Sequence, residues 1–150
     1  MRNTAGEAAI RRTIDVLWTR GEVNRCTELI HPEYRLYDPW GRPLGRGIDW
    51  YINSINAWRA LFPGGTSTAI IPVSSGCNVS WHWNATVLVP REALQPPLRE
   101  MSDEIPELRV LRFQWFMFTT LSADGRIIEE VSMSDRGELH QQIGTSTGDE

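Results

Sequence analysis

Two carboxylates and one imidazole in this chain stand where they could move a proton at a substrate: Asp38, Asp135 and His82. Asp135 ends the run "RIIEEVSMSD", where an apolar strand should finish. One reading makes it the acid/base group at the mouth of an apolar pocket, since partial desolvation raises a carboxylate toward useful base strength. The other makes it the cap of the turn into "RGELHQQ". His82 lies in "NVSWHWNATVLV", whose odd positions Val79, Trp81, Trp83, Ala85 and Val87 are apolar and whose even positions Ser80, His82, Asn84 and Thr86 are polar. Alternation puts the tryptophan side on the core and His82 toward solvent or a partner subunit, whereas a sheet curved around a ligand would turn it into a cavity as a base. Asp38, in "EYRLYDPWG", is a turn former before Pro39 or the partner that orients a histidine. Tyr34 and Tyr37 are pocket hydroxyls able to polarise a carbonyl, or packing residues. His31 reads as a helix-end residue and His140 as part of the tail. Three scattered histidines without HxH or HxxxH spacing give no metal-ligand pattern.

The elements that must hold these groups can be read from periodicity and turn chemistry. Asp124-Gly125 is a two-residue type I′ hairpin signal. It pairs Ala123 with Arg126 and so sets Asp135 opposite Gln114, Met133 opposite Phe116, Val131 opposite Phe118, and Glu129 opposite Thr120. One face of that ribbon is then apolar at its middle, with an Asp/Gln pair at its far end. A loop one residue longer would move every partner to the other face.

Upstream, Thr4-x-x-Glu7 has the form of a capping box, followed by Ile10, Ile14, Leu17 and Trp18 at helical spacing and a stop at Gly21. A shorter amphipathic piece runs through Val23, Cys26, Leu29 and Ile30 to His31-Pro32, where the proline ends it. After an extended segment and a Gly/Pro-rich loop, Ile48, Tyr51, Ile52, Ile55, Trp58 and Phe62 mark a third helix, closed by Pro63-Gly64-Gly65. Four β-rich runs follow. The second and third are separated by "PREALQPPLREMSDEIP" (residues 90–106), which is either a lid or a solvated crossover. Helices followed by strands predict an α+β domain, residues 1–144, with three helices packed on a curved, mostly antiparallel sheet and a frayed tail at 145–150.

Composition narrows the function. The chain of 150 residues carries a formal charge of −4, which argues against nucleic acid and anionic membrane as partners. All 15 basic residues are arginine, so lysine Schiff-base chemistry and a P-loop are excluded. Cys26 and Cys77 form neither a CxxC pair nor a disulfide framework. No run approaches the about 20 apolar residues of a membrane span, and the expected location is the cytoplasm.

Taken in order, "LWTRGEVNRCTELIHPEYRLYDP", Gly47 before the third helix, Phe62-Pro63 at its end, His82-Trp83, "DGRIIEEVSMSD" and "LHQQIG" resemble the SnoaL-like polyketide cyclases of the nuclear-transport-factor-like superfamily. The resemblance spans Ile10 to Gly144. It implies a cone-shaped half-barrel around a deep apolar pocket, commonly in a homodimer, with no cofactor and a small hydrophobic substrate. It also implies an aspartate on the last strand that takes a proton next to a carbonyl so that the enolate closes a ring by aldol attack. Asp135 matches that aspartate, and Gln114 would hold the enolate oxygen or orient the carboxylate. Trp18, Trp83, Phe116, Phe118 and Met133 would be apolar walls, with Tyr34 or Tyr37 as hydrogen-bonding partners. The chain lacks the family's "GTHTG"-like stretch and the histidine of the penultimate strand, and its proline-rich segment and extra tryptophans point to a flatter or more aromatic substrate. Three alternatives stand beside the cyclase or isomerase: a dehydratase using Asp38 and His82, an epoxide hydrolase using Asp135 and Arg112, and a non-catalytic binding or dimerisation module.

Overall fold

Thr4 starts the first helix as its capping motif predicts. In the computed structural model, which describes residues 4–90 and 108–134, its hydroxyl accepts the Glu7 N–H at 3.2 Å. Helix α1 runs Ala5–Thr13 and widens into a π-helical turn over Ile14–Thr19. It stops where expected: the Gly21 N–H bonds the Leu17 carbonyl. The carbonyls of Trp18 and Thr19 at this end are capped by the Arg59 guanidinium from the third helix, so polar groups that a helix end leaves open find a partner.

A 3-10 turn (Val23–Arg25) leads into the short α2, Cys26–Leu29. The chain is already extended at Ile30, so β1 spans Ile30–Tyr37 and takes in His31 and Pro32. His31 is therefore a strand residue, its Nδ1 accepting the Glu33 N–H at 3.1 Å, and not the helix end expected from its place before a proline. The expected Gly/Pro-rich loop contains an edge strand, β2, Pro43–Arg46. A proline is tolerated there as the first residue of an edge strand. Helix α3 spans Gly47–Leu61, followed by β3 (Thr66–Ser75), β4 (Asn78–Pro90), β5 (Leu108–Leu121) and β6 (Ile127–Ser134).

The strands form one mixed sheet in the order β2-β1-β6-β5-β4-β3, with β1–β6 the parallel pair and the others antiparallel. Three helices on a mostly antiparallel sheet is the α+β arrangement expected. Helix side chains Ile10, Leu17 and Ile55 meet sheet residues Val79, Trp81 and Ile127 in a core where each is at most 3% exposed. Burying each such aliphatic side chain is worth about 1.5–3 kcal/mol. Asp135, His140 and the proline-rich stretch from residue 91 to 107 lie outside the described residues.

The β5–β6 turn differs from expectation, yet its consequence is cancelled. Type I′ needs positive φ at Asp124 as well as Gly125, and among the described residues only glycines have positive φ, Gly125 at 84°. The loop is one residue longer, closed by Ser122 N–H to the Arg126 carbonyl at 2.8 Å. A register shift between Thr120 and Leu121 then restores the predicted pairs: Phe116 with Met133, Phe118 with Val131, Thr120 with Glu129.

Gly45 in β2 lets the sheet edge approach α3. A Cβ there would lie 2.2 Å from the Trp50 indole. Gly45→Ala is expected to cost about 1–3 kcal/mol and to lower the melting temperature by several degrees. An unchanged melting curve would contradict this packing.

Candidate functional site

Register and alternation decide which side chains meet under the helices. On β4, Val79, Trp81, Trp83, Ala85 and Val87 are all buried, as their alternation predicts. Pairing carries that face across the sheet: Trp83 lies beside Trp115, Trp81 beside Met117, and Val79 beside Thr119. On β6 the same rows continue to Ser132, beside Met117, and Glu130, beside Thr119. The inner face of the last hairpin is therefore Trp115/Met117/Thr119 with Glu130/Ser132.

The rows expected to wall the pocket lie on the other side. Ile70, His82, Phe116 and Met133 form one row across β3 to β6, and Val73, Ser80, Phe118 and Val131 the next. Phe116, Phe118 and Met133 are exposed at 43–48%, and Gln114, exposed, sits on the same side beside Asn84. These four residues do not line the cavity; β5 is apolar on both faces, so alternation could not choose between them. His82 packs its ring against Phe116 at 4.4 Å on this outer face. With Gln114 and Arg112 it borders a separate pocket of about 330 Å³. Tyr37 pairs with Val131 and belongs to the outer row.

Asp38 is also committed elsewhere. Its Oδ1 accepts the N–H groups of Trp40 and Arg42, both at 2.9 Å, and its Oδ2 accepts from Arg42 Nε at 2.6 Å. Burial opposes its ionisation, but these donors outweigh it and hold the pKa below the ordinary value. Asp38 is the turn former of the two readings. Asp38 follows the end of β1, and strands β6 and β5 separate β1 from the strand of His82, so the Asp38–His82 pair is not formed.

Between α3 and the inner face lies a cavity of about 270 Å³, near the lower end of the ~300–1,000 Å³ usual for small-molecule sites. Five of the seven tryptophans line it: Trp18, Trp50, Trp58, Trp83 and Trp115. Leu36, Leu61 and Met117 complete the apolar wall, and Tyr34, Tyr51, Ser54, Glu130 and Ser132 are its polar members. Trp18, Tyr34 and Trp83 are thus placed in the cavity as expected of pocket residues.

Glu130 is the carboxylate within this wall, and sequence reasoning missed it. It is 4% exposed. Its Oε1 accepts from the Tyr34 hydroxyl at 3.0 Å and its Oε2 from Thr119 Oγ1 at 2.5 Å. The Thr119 bond has a fixed direction, because Thr119 Oγ1 also accepts the Trp81 indole N–H at 2.9 Å and so spends its one proton on Glu130. Burial pushes the Glu130 pKa from 4.5 up to about 7, although both hydroxyls favour the ionised form. Near neutrality the group holds or releases a proton with equal ease, which is what a general acid/base needs. Tyr34 is raised well above its ordinary value by burial and then by the Glu130 charge, so it stays a neutral donor. Cys26 is buried with its thiol pushed up to about 11, which removes it as a thiolate nucleophile near pH 7.

Among the described residues no helix is long and apolar enough to cross a membrane. The family model for the SnoaL-like domain matches residues 10–130. Solved structures share the fold at low identity. A candidate polyketide cyclase from Acidithiobacillus ferrooxidans has TM-score 0.69 and 17% identity, over 95% of this chain and 96% of that one. IdmH, a candidate polyketide cyclase from Streptomyces antibioticus, has TM-score 0.71 and 20% identity, over 93% and 99%. AclR from Streptomyces galilaeus, a candidate hydroxylase, has TM-score 0.69 and 10% identity, over 93% and 95%. No curated protein matches the chain.

Proposed function

The chain belongs to the family of SnoaL-like domains, and from that premise we propose a cofactor-independent cyclase or isomerase of secondary metabolism that acts on a flat, apolar, polyketide-like ketone. The observation that carries the reading is Glu130, a buried carboxylate titrating near pH 7 in a cavity walled by five indoles. In this reading the ionised Glu130 takes a proton from the carbon next to a carbonyl. The C–H electron pair becomes the enolate C=C bond and the carbonyl π pair moves to oxygen. The enolate carbon then attacks a second carbonyl of the same molecule, and the new alkoxide recovers the proton from Glu130, so the step is neutral overall. Tyr34 and Thr119 hold the carboxylate in place, and the aromatic walls keep water from quenching the enolate.

The test is incubation with a panel of enolisable aromatic ketones in D₂O, followed by mass spectrometry. Deuterium exchange next to the carbonyl, or a cyclised product, supports the proposal. Ketones that bind without exchange or product would overturn it in favour of a binding module.

We extend the proposal to a homodimer joined through the outer sheet face, where Ile70, Val73, Phe116, Phe118 and Met133 expose two apolar rows. Exposed apolar side chains gathered on one sheet face, with only His82 and Ser80 between them, support an interaction site there. Sedimentation should give twice the chain mass, and Phe118→Glu should return it to one chain without altering ligand affinity. A monomeric wild-type protein would remove this part of the proposal.

A further inference from the structure

Tyr51 lies on α3 beside Trp50, 4% exposed, with its ring edge-on to that of Tyr34 at 4.9 Å. Its hydroxyl oxygen accepts the Trp18 indole N–H at 3.0 Å. An indole nitrogen can only donate, so the phenol proton is left for another acceptor, and among the described residues none takes it. Tyr34 differs in this respect, because its proton is already spent on Glu130. Tyr51, Trp18 and Glu130 line the same cavity. The Glu130 carboxylate is also near enough to Tyr51 to act, after burial itself, in pushing the phenol well above its ordinary value. Tyr51 therefore stays protonated throughout the working pH range, and its donor is polarised by the Trp18 N–H behind it.

We propose that the Tyr51 O–H binds the carbonyl oxygen of the substrate and stabilises the enolate oxygen that forms as Glu130 removes the adjacent proton. The inference rests on the proton-transfer reading above and narrows its substrate to ketones whose oxygen reaches Tyr51 while the neighbouring C–H faces Glu130. Tyr51 keeps its own proton throughout; it donates a hydrogen bond that strengthens as negative charge builds on the oxygen. Trp18 is a positioning residue that acts through Tyr51.

The experiment compares binding of 2-naphthol, whose anion is a flat analogue of an aromatic enolate, with binding of naphthalene, which has no oxygen. All arms use the full chain carrying Glu130→Gln, which stands for the protonated carboxyl and removes charge repulsion. Calorimetric titration gives the affinities, and difference absorbance reports the bound naphtholate. Adding Tyr51→Phe should weaken naphtholate binding at least tenfold and leave naphthalene within twofold. Adding Trp18→Phe instead keeps an aromatic wall and should weaken naphtholate about threefold, which decides the matter if the Tyr51 variant does not fold. Equal losses for both probes, no loss for either, or no naphthol binding with Tyr51 intact would overturn the proposal. Because every arm carries Glu130→Gln, these outcomes do not depend on which residue is the base. Failure of the base assignment would show instead as deuterium exchange that survives Glu130→Gln in otherwise unaltered protein.

Discussion

Glu130→Gln is expected to reduce ketone exchange and turnover by about 10²–10⁴-fold, the range that a positioned general acid/base contributes. Glutamine keeps the shape of the side chain and loses the basic lone pair. The Tyr34 hydroxyl can turn to accept from the new amide while Thr119 goes on donating to its oxygen, so the fold should persist. The control is Asp135→Asn, at the carboxylate that motif position favours. If Asp135→Asn abolishes turnover and Glu130→Gln leaves it within threefold of wild type, the base is Asp135 and the assignment of Glu130 is wrong.

The same carboxylate should tie stability to pH with a sign opposite to that of a salt-bridged acid. Its unfolded value is 4.5 and its folded value about 7. Below the first, both states are protonated and the full stability is present. Between the two, the folded state holds a proton that the unfolded state has released, so stability falls as pH rises and levels off above the second. That gap is worth about 3 kcal/mol at 1.36 kcal/mol per pH unit. The carboxylates held low by arginine, such as Glu28 and Asp124, act in the opposite direction and at lower pH. Denaturant unfolding from pH 5 to 8 should therefore show wild type losing ground to Glu130→Gln by a few kcal/mol. A constant difference between the two proteins across that range would refute the buried, raised carboxylate.

Most of the architecture is legible in the sequence because its signals are local. The Thr4 cap, the stripe from Ile48 to Phe62 and the strict alternation from Val79 to Val87 each specify an element within a few residues. The family resemblance extends this to the whole fold. The site was less legible, for a physical reason. The β5 run "FQWFMF" is apolar on both faces, so burial could not choose between Phe116/Phe118 and Trp115/Met117. The neighbouring tryptophan face of β4 would have decided it, but the long connection between those strands carries no register information of the kind a tight turn does. With attention on the Asp135, Met133 and Val131 face, Glu130 on the opposite face was not weighed. The usable signal was the predicted hairpin register itself, which sets Thr119 against Glu130 on the face opposite Phe118 and Met133; only the structure joins that face to Trp81 and Trp83.

The ring of indoles around the cavity also makes the protein its own optical reporter. Of the seven tryptophans, Trp40 is 78% exposed and Trp81 is buried outside the lining, and the other five line the cavity. A flat chromophore that enters will sit within van der Waals reach of several emitters at once and quench them together. Occupancy can then be followed in the unlabelled chain, at nanomolar protein, before any product is identified.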